Sequence, residues 1–152
     1  DEIFEMDNAT NVVVSKPVGV AALITPWNLP LYLLSWKVAP AIGMGNTVVC
    51  KPSELTPMTA NLLMETIDEV GLPAGVVNLV HGNGAGAGGP LTTHSDVDLV
   101  SFTGGTDTGR TDAHQKCEAL LRKTCNVVVN SVVKDNPRKP CRFDEIQPKP
   151  YI

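Results

Sequence analysis

No Cys-x-x-Cys pair occurs in this chain, and its four cysteines, Cys50, Cys117, Cys125 and Cys141, suit reduced thiols better than a disulfide framework. Long apolar runs are missing too. None reaches the roughly eighteen residues that a membrane span needs, and the acidic start lacks the basic opening of a signal peptide. Basic residues are few, 12 Lys and Arg against 16 Asp and Glu for a formal charge of −4, which argues against the basic face of a nucleic-acid binder. The absences together lead us to expect a soluble cytoplasmic protein with neither a membrane nor a nucleic acid as partner. With 152 residues, 43% of them hydrophobic, the chain can bury one core, as one compact domain or a piece of a larger one.

Charge is unevenly spread. Residues 1–109 hold 3 basic against 11 acidic side chains, whereas residues 110–152 hold 9 against 5. The change of sign near Arg110 sets a basic, proline-rich tail over 111–152 apart from a main unit whose strand and helix signals run over 18–110.

The main unit alternates strand and helix signals. Val18–Thr25, Thr47–Lys51, Val76–His81 and Leu99–Phe102 are short, rich in β-branched residues and ended by Gly, Pro or a polar residue. Leu31–Gly43 reads as a helix between the first two. A second helix opens at Thr56-Pro57 and runs to about Val70, with Leu62, Leu63, Ile67 and Val70 at helical spacing and Gly71 as its stop. Crossovers of this kind return strands in parallel, so the expected fold is α/β: a partial, Rossmann-like open parallel sheet with helices on both faces. Ligands then belong at the C-terminal ends of the strands. Three polar clusters fall there: Thr25–Asn28, Lys51–Glu54 and Thr103–Gly109.

Each cluster has a functional and a structural reading. Phe102-Thr103-Gly104-Gly105-Thr106-Asp107-Thr108-Gly109 follows a strand and opens a helix, so its backbone N–H groups suit a pyrophosphate, although such turns are as often purely structural. Lys51-Pro52-Ser53-Glu54 sets an ammonium and a carboxylate three residues apart, facing a ligand rich in hydroxyls or pairing with each other at the surface. Gly84-Ala85-Gly86-Ala87-Gly88-Gly89 fits G-x-G-x-x-G, but Pro90 follows at once and no acidic residue closes the next strand about twenty residues on. It reads as a flexible loop near a cofactor. Asn28, beside Trp27 and between Pro26 and Pro30, caps a strand-to-helix corner. Cys50 alternates into a buried strand.

Taken together, residues 12–110 resemble the NAD(P)-dependent aldehyde dehydrogenase superfamily. Pro17-Val18-Gly19-Val20, Thr25-Pro26-Trp27-Asn28, Gly45-Asn46-Thr47-Val48-Val49-Cys50-Lys51-Pro52-Ser53-Glu54, Gly71-Leu72-Pro73-Ala74-Gly75-Val76-Val77-Asn78 and Phe102-Thr103-Gly104-Gly105 stand in the family's order and spacing. Leu31-Tyr32-Leu33-Leu34-Ser35-Trp36-Lys37 with Ser53-Glu54-Leu55-Thr56 looks most like the branch that oxidises aminomuconic and hydroxymuconic semialdehydes.

The resemblance implies roles. Asn28 would hold the oxyanion that forms when a cysteine thiolate attacks the aldehyde. Hydride then passes to NAD, and a glutamate activates water against the thioester. Ile24, Thr25, Pro26 and Trp27 would run along the cofactor, Lys51, Ser53 and Glu54 would meet the adenosine ribose, and Gly84 and Gly88 would lie near the adenine. Phe102, Thr103, Gly104, Gly105 and Thr108 would surround the pyrophosphate. The Glu54 carboxylate favours NAD by repelling a ribose 2′-phosphate, while Gly105 stands where the family commonly has a serine.

Two further motifs of the family, Glu-Leu-Gly-Gly-Lys for the base and Gly-Gln-x-Cys for the nucleophile, do not occur in these 152 residues. The nearest relic is Ala119-Leu120-Leu121-Arg122-Lys123, followed by Asn126-Val127-Val128-Val129; the alternative is that residues 111–152 are foreign sequence. Cys141 as nucleophile and His114 with Cys117, Cys125 and Cys141 as a metal site both fit poorly, so no metal is expected. Asn136 to Tyr151 reads as an extended arm. The expectation is a truncated chain whose own catalysis is doubtful, an NAD-binding module or pseudoenzyme being the alternative. Residues 1–17 resemble part of an oligomerisation hairpin, and a sheet ending after its fourth strand would expose an edge for self-association.

Overall fold

The computed structural model describes residues 2–6 and 8–110, together with the backbone of 127–129. Among the described residues, seven strands form two sheets. β1 (Glu2–Met6) and β2 (Ala9–Val13) make an antiparallel hairpin whose strand residues are all exposed. The main sheet contains β3 (Val20–Ile24), β4 (Thr47–Lys51), β5 (Val77–Leu79), β6 (Leu99–Phe102) and β7 (Val127–Val129), every neighbouring pair being parallel. Its order is β5-β4-β3-β6-β7. The chain therefore steps outward from β3 to β5, then returns to the other side of β3.

That return sorts the helices onto opposite faces. α1 (Pro30–Gly43) and α2 (Pro57–Glu69) link β3, β4 and β5. Each has Pro in its first turn, where the missing N–H has no intrahelical partner to lose. α1 contributes Leu34 and Val38, and α2 Ala60, to a core over Ala21, Leu23, Val48 and Cys50. The alternate β3 residues, Ala22 and Ile24, join Val97, Val100 and Phe102 in a second core, against which Leu91 of α3 (Gly89–Thr93) packs. Helices cover both faces, as the alternation of strand and helix signals implies.

Side chains pin the start of the central strand. Asn46 Oδ1 accepts from the backbone N–H groups of Val18 (2.7 Å) and Gly19 (3.1 Å), while its Nδ2 donates to the Ala41 carbonyl (3.1 Å). Asp98 Oδ2 accepts from Val20 N–H at 2.9 Å. Gly19 has φ +129°, and a Cβ there would run into the Asp98 carboxylate. The strand begins only at Val20 for this reason, two residues later than its β-branched run suggests.

Other expectations need correction. Val76–His81 is paired only over Val77–Leu79, where it faces Val48–Cys50. Gly84–Gly89 is no loop: Gly84–Gly88 form a π-helical turn continued by α3. The Asn83 side chain accepts from Gly86 N–H at 2.6 Å and Pro90 occupies the first turn of α3, which supplies what glycine's poor helix propensity lacks. The sheet does not stop after four strands, since Val127–Val129 pair with Val100–Phe102. Asn28 stands at the corner but does not cap the helix; the N-cap is Leu29, without a side-chain bond. The suggested roles of His114, Cys117, Ala119, Cys125, Cys141 and Asn136–Tyr151 lie outside the described residues.

Candidate functional site

A doubly wound sheet opens a crevice where its strand order reverses. Here that point lies between β3 and β6. The backbone draws three strand ends together: Thr25 N–H donates to the Lys51 carbonyl at 3.2 Å, and Thr103 N–H to the Ile24 carbonyl at 3.0 Å. The three polar clusters picked out along the sequence thus meet at one edge of the sheet.

Within it, Ile24, Thr25, Lys51, Ser53, Phe102 and Thr103 are buried, Pro26 is half-buried, and Trp27 and Asn28 are exposed. Thr25 is 3% exposed, and its hydroxyl is buried without a hydrogen-bond partner among the described residues. A lone buried hydroxyl is costly. At the end of a strand beside the switch point, it fits a ligand that supplies the missing bond.

Lys51 Nζ donates to the Pro52 carbonyl at 3.1 Å and stands 3.7 Å from Glu54 Oε2. The lysine is buried but the carboxylate is 53% exposed, so Glu54 can turn to a hydroxyl-bearing guest while Lys51 stays fixed. Ser53 Oγ accepts from Leu55 N–H at 3.3 Å, holding the turn. Gly88 joins this group, since a Cβ on it would meet Lys51 Cδ at 3.8 Å. Gly84 begins the same turn on the exposed side.

The glycines after β6 differ in kind. A Cβ on Gly104 would meet Phe102 Cζ at 2.5 Å, whereas one on Gly105 would meet only Thr108 Oγ1 at 3.9 Å. A helix begins at Thr106, with Gly109 N–H bonded to the Gly105 carbonyl at 2.9 Å. It starts four residues after Phe102, and a helix start close behind a strand end suits an anion. Asn28 stands on the loop from β3 to α1, and an exposed apolar line of Leu29, Tyr32 and Trp36 continues from it along the helix.

A hollow of about 510 Å³ lies elsewhere, between α2 and the outer strand β5, and is lined by residues such as Met64, Ile67, Leu72, Pro73 and His81. Nothing from β3 or β6 reaches it, so it is separate from the crevice. Among the described residues no cluster of His, Cys, Asp or Glu could hold a metal, and no helix is long and apolar enough to cross a membrane.

Sequence reasoning overlooked Lys37. Leu34, Lys37, Val38 and Ala41 follow one another at helical spacing, which puts the lysine on the core face of α1. Lys37 is 9% exposed, and its Nζ donates to Ser101 Oγ at 2.6 Å. Burial lowers its amine from 10.5 to about 8. Between those values the unfolded chain holds the extra proton, so stability should rise with pH from about 8. The Cys50 thiol, pushed by burial from 9.0 up to about 12, opposes this above pH 9 because only the unfolded thiol ionises there. We expect urea midpoints to climb between pH 7.5 and 9 and Lys37→Met to flatten that climb; an unchanged slope would refute the assignment.

Comparison with known proteins bears on the site. A family model described as "Aldehyde dehydrogenase family" matches residues 1–130, past the change of charge and through β7. The chain is 54% identical over 105 residues to human 2-aminomuconic semialdehyde dehydrogenase, covering 68% of this chain and 22% of the relative. It is 54% identical over 117 residues to 2-hydroxymuconic semialdehyde dehydrogenase of Pseudomonas putida, covering 73% and 24%. The chain thus spans about a fifth to a quarter of the length of these curated relatives. Among solved structures, betaine aldehyde dehydrogenase from Staphylococcus aureus in complex with NAD+ superposes with a TM-score of 0.73 at 38% identity, covering 84% of this chain and 25% of that one. A Pseudomonas syringae aldehyde dehydrogenase C mutant complexed with NAD+ and octanal gives 0.72 at 45%, covering 76% and 23%.

Proposed function

Because this chain belongs to the aldehyde dehydrogenase family, we propose that its switch-point crevice binds NAD and forms the nucleotide half of an aldehyde-oxidising site. The unpartnered Thr25 hydroxyl carries the reading. The Thr25 backbone N–H bonds the Lys51 carbonyl at the end of β4, near Glu54, and Thr25 follows Ile24, whose carbonyl is bonded to Thr103.

Each group has a task in this reading. Ile24, Thr25, Pro26 and Trp27 line the dinucleotide, Glu54 accepts from the adenosine ribose beside Lys51 and Ser53, and the turn with Gly84 and Gly88 flanks the base. Phe102, Thr103, Gly104, Gly105 and Thr108 surround the pyrophosphate at the helix that starts at Thr106. When bound, NAD supplies the hydride acceptor. Asn28 presents an amide to the developing oxyanion, and Leu29, Tyr32 and Trp36 offer an apolar wall to a semialdehyde.

These 152 residues retain nucleotide binding without completing turnover, because the base and nucleophile motifs of the family are not among them. A thermal melt of the chain with and without excess NAD tests this. At about one hundred times its dissociation constant the ligand should add about 2.7 kcal/mol, with no NADH formed on adding an aldehyde. A transition indifferent to NAD would sink the reading, and NADH production would overturn its second half.

A second reading rests on the hairpin Glu2–Val13, where Ile3, Phe4, Met6, Val12 and Val13 are all at least half exposed. It is self-association through strand edges in the cytoplasm. Light scattering across a concentration series distinguishes it from a chain that stays monomeric.

A further inference from the structure

The nucleotide reading makes no use of β5, which ends one side of the main sheet among the described residues. Parallel pairing turns the backbone groups of alternate residues toward the neighbouring strand. The Val76 carbonyl accepts from Val48 N–H at 2.8 Å and Val80 N–H donates to the Cys50 carbonyl at 2.9 Å, so Asn78 between them also turns its backbone to β4. The N–H and C=O groups of Val77 and Leu79 therefore point outward, with no strand beyond them among the described residues. An edge of this kind is a template for an added strand.

The hollow of about 510 Å³ follows that edge. Val77, Asn78 and Leu79 all line it, although successive side chains of a strand point to opposite faces. Its other wall is α2, from which Met64 and Asp68 face it four residues apart on one side of the helix, with Ile67 beside them. Asn61 Oδ1, near the start of α2, meets His81 Nε2, just past β5, at 2.9 Å. Residues 72–75 join the other end of α2 to the start of β5 and line the hollow there. A strand laid against Val77 and Leu79 would send alternate side chains in beside Met64, Ile67 and Leu72.

Charge selects the occupant. No Lys or Arg occurs between Lys51 and Arg110, while α2 carries Glu65, Asp68 and Glu69. All three carboxylates are exposed, and none is in an ion pair among the described residues. We propose that the β5 edge and the hollow beside α2 form a docking groove for an extended segment of another protein, apolar at alternate positions and flanked by Lys or Arg. Backbone bonds to Val77 and Leu79 would hold the segment, and the acidic side of α2 would select its flanks. A second copy of this chain is the poorer occupant. Its exposed hairpin strands carry Glu2 and Glu5 and no basic residue, and its own β5 edge brings the same acidic helix.

The test uses the full chain and a fluorescein-labelled decapeptide of alternating valine and threonine with two lysines at each end. Its fluorescence anisotropy should rise saturably with the chain. N-methylation of the central valines and threonines keeps the charge but removes main-chain donors, and should weaken binding at least about tenfold. Asp68 is exposed, and Asp68→Lys should weaken the lysine-ended peptide about threefold while strengthening a glutamate-ended one. In hydrogen exchange, the Val77 and Leu79 amides should gain protection only when the lysine-ended peptide is present. Absence of saturable binding, equal binding of the N-methylated peptide, or an Asp68→Lys effect of the same sign on both peptides overturns the proposal. Protection of those two amides before any peptide is added, rising with chain concentration, overturns it in favour of a second copy.

Discussion

Leu34→Ala should destabilise the chain by about 2–5 kcal/mol, measured as a loss in urea midpoint with little change in slope. Leu34 is 1% exposed in the core that joins α1 to β3 and β4. Truncation removes transfer energy and leaves a cavity, since the strand residues beneath it are mostly alanine, valine and cysteine and cannot swing in to fill the gap. A small domain has only about 5–15 kcal/mol to lose, so the deficit is a large fraction of the whole. The consequence extends to the site. Leu33 N–H bonds the Leu29 carbonyl at 3.0 Å in the first turn, so the helix that Leu34 anchors also fixes the loop bearing Asn28. Leu31, next but two along the same helix and 45% exposed, is the control: Leu31→Ala should stay within about 0.5 kcal/mol. Equal effects at the two positions would mean that α1 is not seated on the sheet as described.

Much of this arrangement was legible in the sequence, for physical reasons that differ by element. Thr47–Lys51 and Leu99–Phe102 coincide with their β-branched runs because polar or proline residues bound them on both sides. α2 declared itself by Pro57 at its start and Gly71 after its end, whereas α1 was read from its apolar run alone and begins one residue earlier, at Pro30. Strand order was not legible, since local patterning carries no information about which side of β3 the chain returns to. The glycine-rich turn was misread because its order comes from Asn83 and Pro90 and from packing beside Lys51, not from glycine itself. For the site, the residue types at three strand ends were visible, while their convergence depends on the switch point. Lys37 was hidden in plain periodicity: a lysine among leucines is easily taken as a surface residue until the core face is drawn.

Gly104→Ala should cost about 1–3 kcal/mol and remove the stabilisation that NAD provides, whereas Gly105→Ala should leave the fold nearly untouched. The contrast follows from what a Cβ would meet. At Gly104 it lands 2.5 Å from Phe102 Cζ, 3.1 Å from Cε1 and 3.3 Å from Cε2, across the end of the ring. Phe102 is 5% exposed and belongs to the core with Ile24 and Val100, so its ring cannot yield without opening that cluster. The backbone of 103–105 must shift instead, and with it the start of the helix at Thr106. At Gly105 the nearest atom is the Thr108 hydroxyl at 3.9 Å, an ordinary contact. If both variants melt like the parent and both keep the response to NAD, the close approach of Gly104 to the Phe102 ring does not govern the crevice. If Gly104→Ala alone loses the response while its circular dichroism stays native, the methyl group acts by displacing the anion-facing turn, and the strand end at β6 is where the nucleotide is held.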